Sequence, residues 1–169
     1  MNRKLVHTLF LMVLMAMITL SASVARADVL NIVLNQPSQS GYPGDTLSFI
    51  ATLSAPSTNS AAIFLNSDSS SLSGDFSLDD SPFFLTPQSI DPGNSWTGVL
   101  FNVTVGSTNT LYVPYGGFFS ILGGADTNAS NIIGSTQFTV TQVPEPASML
   151  LLGSGLSGLV GVIRRKRQK

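Results

Sequence analysis

Residues 46–54 read TLSFIATLS, and the apolar positions Leu47, Phe49, Ala51 and Leu53 recur at every second residue against Thr46, Ser48 and Thr52. A period of two lines those four side chains along one face of an extended chain, whereas a helix needs a period near 3.6. Phe49 is therefore expected to face a core. Leu30, Ile32 and Leu34 repeat the pattern upstream, and Gly41-Tyr42-Pro43-Gly44-Asp45 between the two runs supplies the residues of a tight reversal. Further strands are expected at 61–66, 83–86, 99–105, 111–115, 118–122 and 135–141. Connections rich in Ser, Asn, Gly and Asp separate them, 67–81 and 123–134 among them. No stretch carries a convincing amphipathic-helix pattern.

Seven or eight short strands between Asp28 and Val143 point to an all-β domain, an antiparallel two-sheet sandwich. That length suits one domain with one core, and neither a repeat nor a second domain is visible. The order strand, Gly41-Tyr42-Pro43-Gly44-Asp45-Thr46, strand resembles the first hairpin region of bacterial immunoglobulin-like modules, which implies an immunoglobulin-like (Ig-like) topology; a jelly roll is the alternative. The chain has no cysteine, so Trp96 has no disulfide to pack against and the fold must hold by its core.

The formal net charge of −1 conceals an uneven distribution. The basic residues are Arg3, Lys4, Arg26, Arg164, Arg165, Lys166, Arg167 and Lys169, so none falls within 28–143. That segment holds Asp28, Asp45, Asp68, Asp75, Asp79, Asp80, Asp91 and Asp126, a side-chain charge of −8. Nucleic acid and anionic lipid both bind through Lys and Arg, so neither is expected as a partner of the domain.

The same inventory bears on chemistry. The only histidine, His7, lies in the N-terminal stretch. Without His, Cys, Lys or Arg the domain cannot assemble a Ser-His-Asp or Cys-His site, a Schiff base, a phosphate clamp or a common zinc site. Paired carboxylates for glycoside hydrolysis are what remains, from Asp79-Asp80 or from Asp75 with Asp91. Adjacent strand residues point to opposite faces, which places Asp79 and Asp80 poorly for that task, and the domain is read as non-catalytic. Calcium needs only oxygen ligands. Asp68, Asp75, Asp79 and Asp80 crowd one stretch with Asn66, and Asp126, Asn128 and Asn131 crowd another, but neither has EF-hand spacing. Solvated turn residues are the plainer reading, and no cofactor is assigned. Tyr42, Trp96, Tyr112, Tyr115, Phe118 and Phe119 offer rings for stacking on sugars; Tyr42, in its Pro-Gly turn, is the best candidate for an exposed one, while Trp96 and Phe101 read as core.

Both ends carry handling signals. Asn2-Arg3-Lys4 is a short positive region, Leu5 to Leu20 is almost continuously apolar, and Ala25-Arg26-Ala27 has the small-x-small form of a signal-peptidase site. A signal peptide 1–27, entry through the Sec translocon and a mature start at Asp28 are expected. At the other end, Pro144 and Pro146 lack amide donors and bias the residues before them towards extended backbone. Residues 147–163 then run without a charge. As a helix they reach roughly 26 Å, enough to cross a bilayer with some thinning. Arg164, Arg165, Lys166, Arg167 and Lys169 follow and hold that end on the cytoplasmic side.

Val143-Pro144-Glu145-Pro146, the Leu150-Leu151-Leu152-Gly153 run, Gly155, Gly158, Gly161 and the basic tail together resemble the PEP-CTERM protein-sorting signal of Gram-negative bacteria. The resemblance implies a sorting segment 144–169, an inner-membrane-anchored precursor, recognition by an exosortase (an intramembrane-type cysteine transpeptidase or protease), and delivery to the cell surface or an exopolysaccharide matrix. A plain C-terminal anchor on a periplasmic protein is the competing reading. For the domain itself two classes stay open, a structural or adhesive module of the envelope or biofilm matrix and a carbohydrate- or calcium-binding module.

Overall fold

The structure is a computed structural model that describes residues 28–145, together with 151 and 153–155. The expected signal peptide with Ala25 and Ala27, Pro146, most of the expected span 147–163, and Arg164, Arg165, Lys166, Arg167 and Lys169 lie outside the described residues. Residues 151 and 153–155 are helical, and no helix among the described residues is long and apolar enough to cross a membrane.

Among the described residues, nine strands form two sheets. They are β1 (Asn31–Leu34), β2 (Ser38–Gly41), β3 (Thr46–Ser54), β4 (Ile63–Leu72), β5 (Phe76–Asp79), β6 (Ser89–Ile90), β7 (Ser95–Val105), β8 (Pro114–Gly124) and β9 (Asn131–Gln142). One sheet has the order β1-β3-β7-β5 and the other β2-β9-β8-β4-β6. Neighbours are antiparallel except β2, which pairs parallel to β9. The expectation of a wholly antiparallel sandwich is corrected at that one pair. Its sequence, SQSG, has no apolar alternation to announce a strand. The reversal at 41–45 consequently joins the two sheets, carrying the chain from β2 to β3, rather than closing a hairpin within one sheet.

The alternation in β3 holds, with Phe49, Ala51 and Leu53 buried inside the sandwich. Across from it, β7 carries a bulge: Phe49 pairs with Phe101 and Ile50 with Val99, leaving Leu100 as an extra residue. The extra residue lets consecutive Leu100 and Phe101 both be buried. From the facing sheet, Phe119 on β8 stacks on Phe101 at 4.8 Å, and Phe138 on β9 lies 4.7 Å from the same ring. Aromatic rings from both sheets thus meet at the centre of one core.

Three local expectations change. The strand expected at 83–86 is a 3-10 turn, Ser81–Leu85, because Pro82 sits in its first turn and Phe83 N donates to the Asp80 carbonyl at 2.9 Å. Phe83 still reaches the core, from a turn rather than a strand, with its ring 6.2 Å from Phe119. The connection expected over 67–81 is largely strand, since β4 runs on to Leu72 and β5 follows. A bulge at Asn66 shifts the phase of β4, so its polar half continues the ladder with β8. The strand expected at 111–115 is a loop as far as Val113, with β8 beginning at Pro114.

Candidate functional site

The sandwich has two ends, and the chain leaves through one of them. There β9 finishes at Gln142, which is buried; its side-chain carbonyl accepts from Asn109 N at 3.1 Å and its main-chain carbonyl from Tyr112 N at 3.0 Å. Val143 N donates to the Gly41 carbonyl at 2.9 Å, the last main-chain bond between the departing chain and the domain among the described residues. Pro144 and Glu145 follow, exposed and outside any strand. Two strands therefore clamp the exit, β2 on one side of β9 and β8 on the other, and the Pro-Glu-Pro triplet starts one residue later.

Loops 42–45, 73–75 and 106–113 surround this exit, and Asp75 ties the last two together. Its carboxylate accepts from Ser107 N at 2.9 Å, Thr108 N at 3.0 Å and the Thr108 hydroxyl at 2.8 Å. The Thr108 hydroxyl, then its amide, hold the Asp75 pKa below the usual carboxylate range. Asn109 completes the tie, accepting from Asp75 N and donating to the Asp75 carbonyl, and Thr110 N donates to the Tyr115 hydroxyl at 2.9 Å. Gly74 sits at φ +90 beneath them, where a Cβ would meet Asn109 Oδ1 and Tyr115 Cδ1 at 2.7 Å. The loop so fixed presents Leu111, Tyr112 and Val113 to solvent, Tyr112 with a positive φ of 62°.

The four aspartates proposed for calcium are not brought together around a common point. Asp75 is committed to the exit loop, and Asp79 accepts from the Ser81 hydroxyl at 2.6 Å and Ser81 N at 3.1 Å, which lower its pKa. Asp68 faces inward on β4 opposite Ile121, and burial, then the charge of Asp80, push its pKa up to about 6. Asn66 spends its amide on the carbonyls of Asp126 and Ala129, closing the far loop. Among the described residues no group of three or more His, Cys, Asp or Glu is placed to hold a metal. Asp75 lies at the exit end, whereas Asp91 lies in the turn before β7 at the other end, so they do not form a carboxylate pair.

The rings divide as burial dictates. Phe119 is core, not a platform, and Trp96 lies half-buried against the core, folded over Gly98. Tyr42 is exposed, but Tyr112 is more so, at 69 % against 38 %. Phe118 is exposed on the outer face of the second sheet, directly across from Ser71 on β4 and Gln137 on β9. These three residues help line a shallow groove of about 460 Å³.

Residues 142–167 match the family model of the PEP-CTERM protein-sorting motif. No curated protein gives a significant match to the chain. The chain thus carries, from the last residue of β9 onwards, a motif that marks exosortase-dependent sorting, with export and a membrane-anchored precursor.

Proposed function

We propose that this is an exported, non-catalytic protein of the cell surface or extracellular matrix, whose β-sandwich is separated from its membrane tail by an exosortase cutting close to Pro144-Glu145-Pro146. The observation that carries the reading is the join between domain and signal: the motif begins at Gln142, where β9 ends, and Pro144 and Glu145 stand exposed immediately beyond the final main-chain bond from Val143 to Gly41. An extended, accessible segment is the form a protease binds along its cleft, and the prolines keep it extended. Glu145 serves as the recognition carboxylate, and the basic tail holds the substrate from the cytoplasmic side. The strand orders support the Ig-like arrangement over the jelly roll. β1-β3-β7-β5 corresponds to A-B-E-D, and β9-β8-β4 to G-F-C, with β2 and β6 added at the edges.

Mass spectrometry of the mature C-terminus from the native host, with and without its exosortase, tests the reading. A terminus near residue 144 that depends on the enzyme supports it, and Glu145→Ala abolishes that terminus while leaving export and folding intact. An intact Lys169 on the mature protein leaves only the anchored periplasmic reading.

A second reading is favoured by one observation. The exposed Phe118 ring, flanked by the Ser71 hydroxyl and the Gln137 amide in a shallow groove, combines an apolar platform with hydrogen-bonding groups. A sugar ring needs both. Glycan-array binding that Phe118→Ala abolishes makes the domain a carbohydrate-binding module of the matrix.

A further inference from the structure

Among the described residues, a run of apolar side chains stands exposed at the exit end. Leu111, Tyr112 and Val113 are 43 %, 69 % and 41 % exposed in three consecutive positions, and Tyr42 is exposed across the exit from them. They flank the departing chain on both sides, because Tyr112 N bonds the Gln142 carbonyl while Tyr42 follows Gly41, whose carbonyl holds Val143 N. The loop that carries them is braced by Asp75, Asn109, Tyr115 and Gln142, so its shape is built in. Tyr112 adds a separate sign of constraint. A bulky residue at positive φ is an outlier among side chains other than glycine, and such conformations persist only where the surroundings impose them.

Chain length decides what lies opposite this surface. Only residues 144–146 separate Val143 from the apolar segment that starts at 147. Three residues of extended chain reach about 10 Å, and one headgroup layer is roughly 5 to 8 Å thick. In the precursor the exit end is thereby held against the bilayer surface. We propose that Leu111, Tyr112, Val113 and Tyr42 form a membrane-docking rim that seats the sandwich on the lipid interface of the precursor and so sets the height and orientation at which Pro144-Glu145-Pro146 is offered for cutting. The inference rests on the sorting reading, which supplies the span. Tyrosine suits the boundary, with an apolar ring and a polar hydroxyl. The docking is apolar and not electrostatic, since Asp45, Asp75 and Glu145 are the charged groups at this end and the described domain has no Lys or Arg. Zwitterionic lipid is therefore the surface it fits, and anionic lipid weakens it.

The precursor, purified from a host lacking exosortase and reconstituted into phosphatidylcholine vesicles, provides the test. The natural chain has no cysteine, so an environment-sensitive dye can be placed uniquely at Thr110→Cys beside the rim or at Thr127→Cys in the loop at the far end. Docking predicts flotation with the vesicles, blue-shifted emission at 110 that brominated lipid quenches, and aqueous emission at 127. Leu111→Ser with Tyr112→Ser returns the signal at 110 to its aqueous value without loss of flotation, and added phosphatidylglycerol reduces the shift. Flotation with aqueous emission at both sites overturns the docking and leaves the sorting reading intact. A chain that does not float overturns both. A shift at 110 that appears only when exosortase is added also overturns lipid docking, in favour of contact with the enzyme.

Discussion

Phe101→Ala is the sharpest test of the core because Phe101 meets two rings of the facing sheet, Phe119 and Phe138, as well as Phe49 of its own. It is fully buried, stacked on Phe49 at 4.7 Å with 13° between planes and on Phe119 at 4.8 Å with 8°, and 4.7 Å from Phe138. Truncating a buried phenylalanine costs about 3–5 kcal/mol. Three ring partners are lost together, each contact worth about 0.5–1.5 kcal/mol beyond area, which places this site at the top of the range, about 5 kcal/mol. Phe49, with Phe101 and Phe138 as its ring partners, should lose about 4 kcal/mol on the same change. A domain of this size has roughly 6–17 kcal/mol in total, so the Phe101 variant keeps roughly 1–12 kcal/mol and reaches the edge of folding when the parent sits at the low end. The assay is urea unfolding of residues 28–143, the segment that holds the whole described core, followed by circular dichroism. At a slope of about 2 kcal/mol/M, the Phe101→Ala midpoint falls by about 2.5 M. Exposed Phe118→Ala serves as the control and stays within about 0.5 kcal/mol. A Phe101→Ala loss below about 2 kcal/mol, or a larger loss at Phe118, refutes the inward register of β7 and β8.

Asp68 makes stability fall as pH rises: with its folded pKa raised to about 6 from 3.8, the folded state holds the proton more tightly than the unfolded chain, so the contribution is full below 3.8 and lost through 6. Asp68→Asn should therefore gain about 1 kcal/mol at pH 7, after discounting for solvent screening, and nothing at pH 4; a gain independent of pH contradicts this. Gly123→Ala should cost about 2–3 kcal/mol, because its Cβ would run into the Phe64 carbonyl across the ladder, while Gly116→Ala, with open space around it, is near neutral in the same unfolding assay. Asp75→Ala removes the acceptor for Ser107 and Thr108, so limited chymotrypsin digestion should cut at Tyr112 several times faster than in the parent; an unchanged rate means the loop is held by other bonds.

How legible the fold was depended on which residues do the burying. β3 could be read directly, since Leu47, Phe49, Ala51 and Leu53 carry the period of two without interruption. The polar half of β4, NSDSSSL, could not. Its inward positions after the bulge are Asp68, Ser70 and Leu72, and pairing with β8 supplies the order that side-chain pattern does not. β2 was hidden for the same reason, its strand state being imposed by the parallel ladder to β9. Phe83 is the opposite case: its apolar run carries a strand signal, although Pro82 beside it favours a tight helical turn. Tertiary pairing decides β2 and the polar half of β4, and no local period records it.

The exit site divides along the same line. The sorting motif at 142–167 is legible because its signature, a Pro-Glu-Pro triplet before an uncharged run and a basic tail, is written in consecutive residues. Leu111-Tyr112-Val113 reads in sequence as the start of a strand because three apolar residues in a row carry that signal on their own. What makes them a loop is distant in sequence: Asp75 holds Ser107 and Thr108, and Gln142 holds Asn109 and Tyr112. The same bonds that take these residues out of the sheet place them around the departing chain. Burial in the sheet is exchanged for exposure at the one end of the molecule from which an apolar segment follows within three residues. On any other face, a run of exposed Leu, Tyr and Val would be a liability for aggregation. At this end, under the docking proposed above, it has the bilayer of the membrane-anchored precursor to meet.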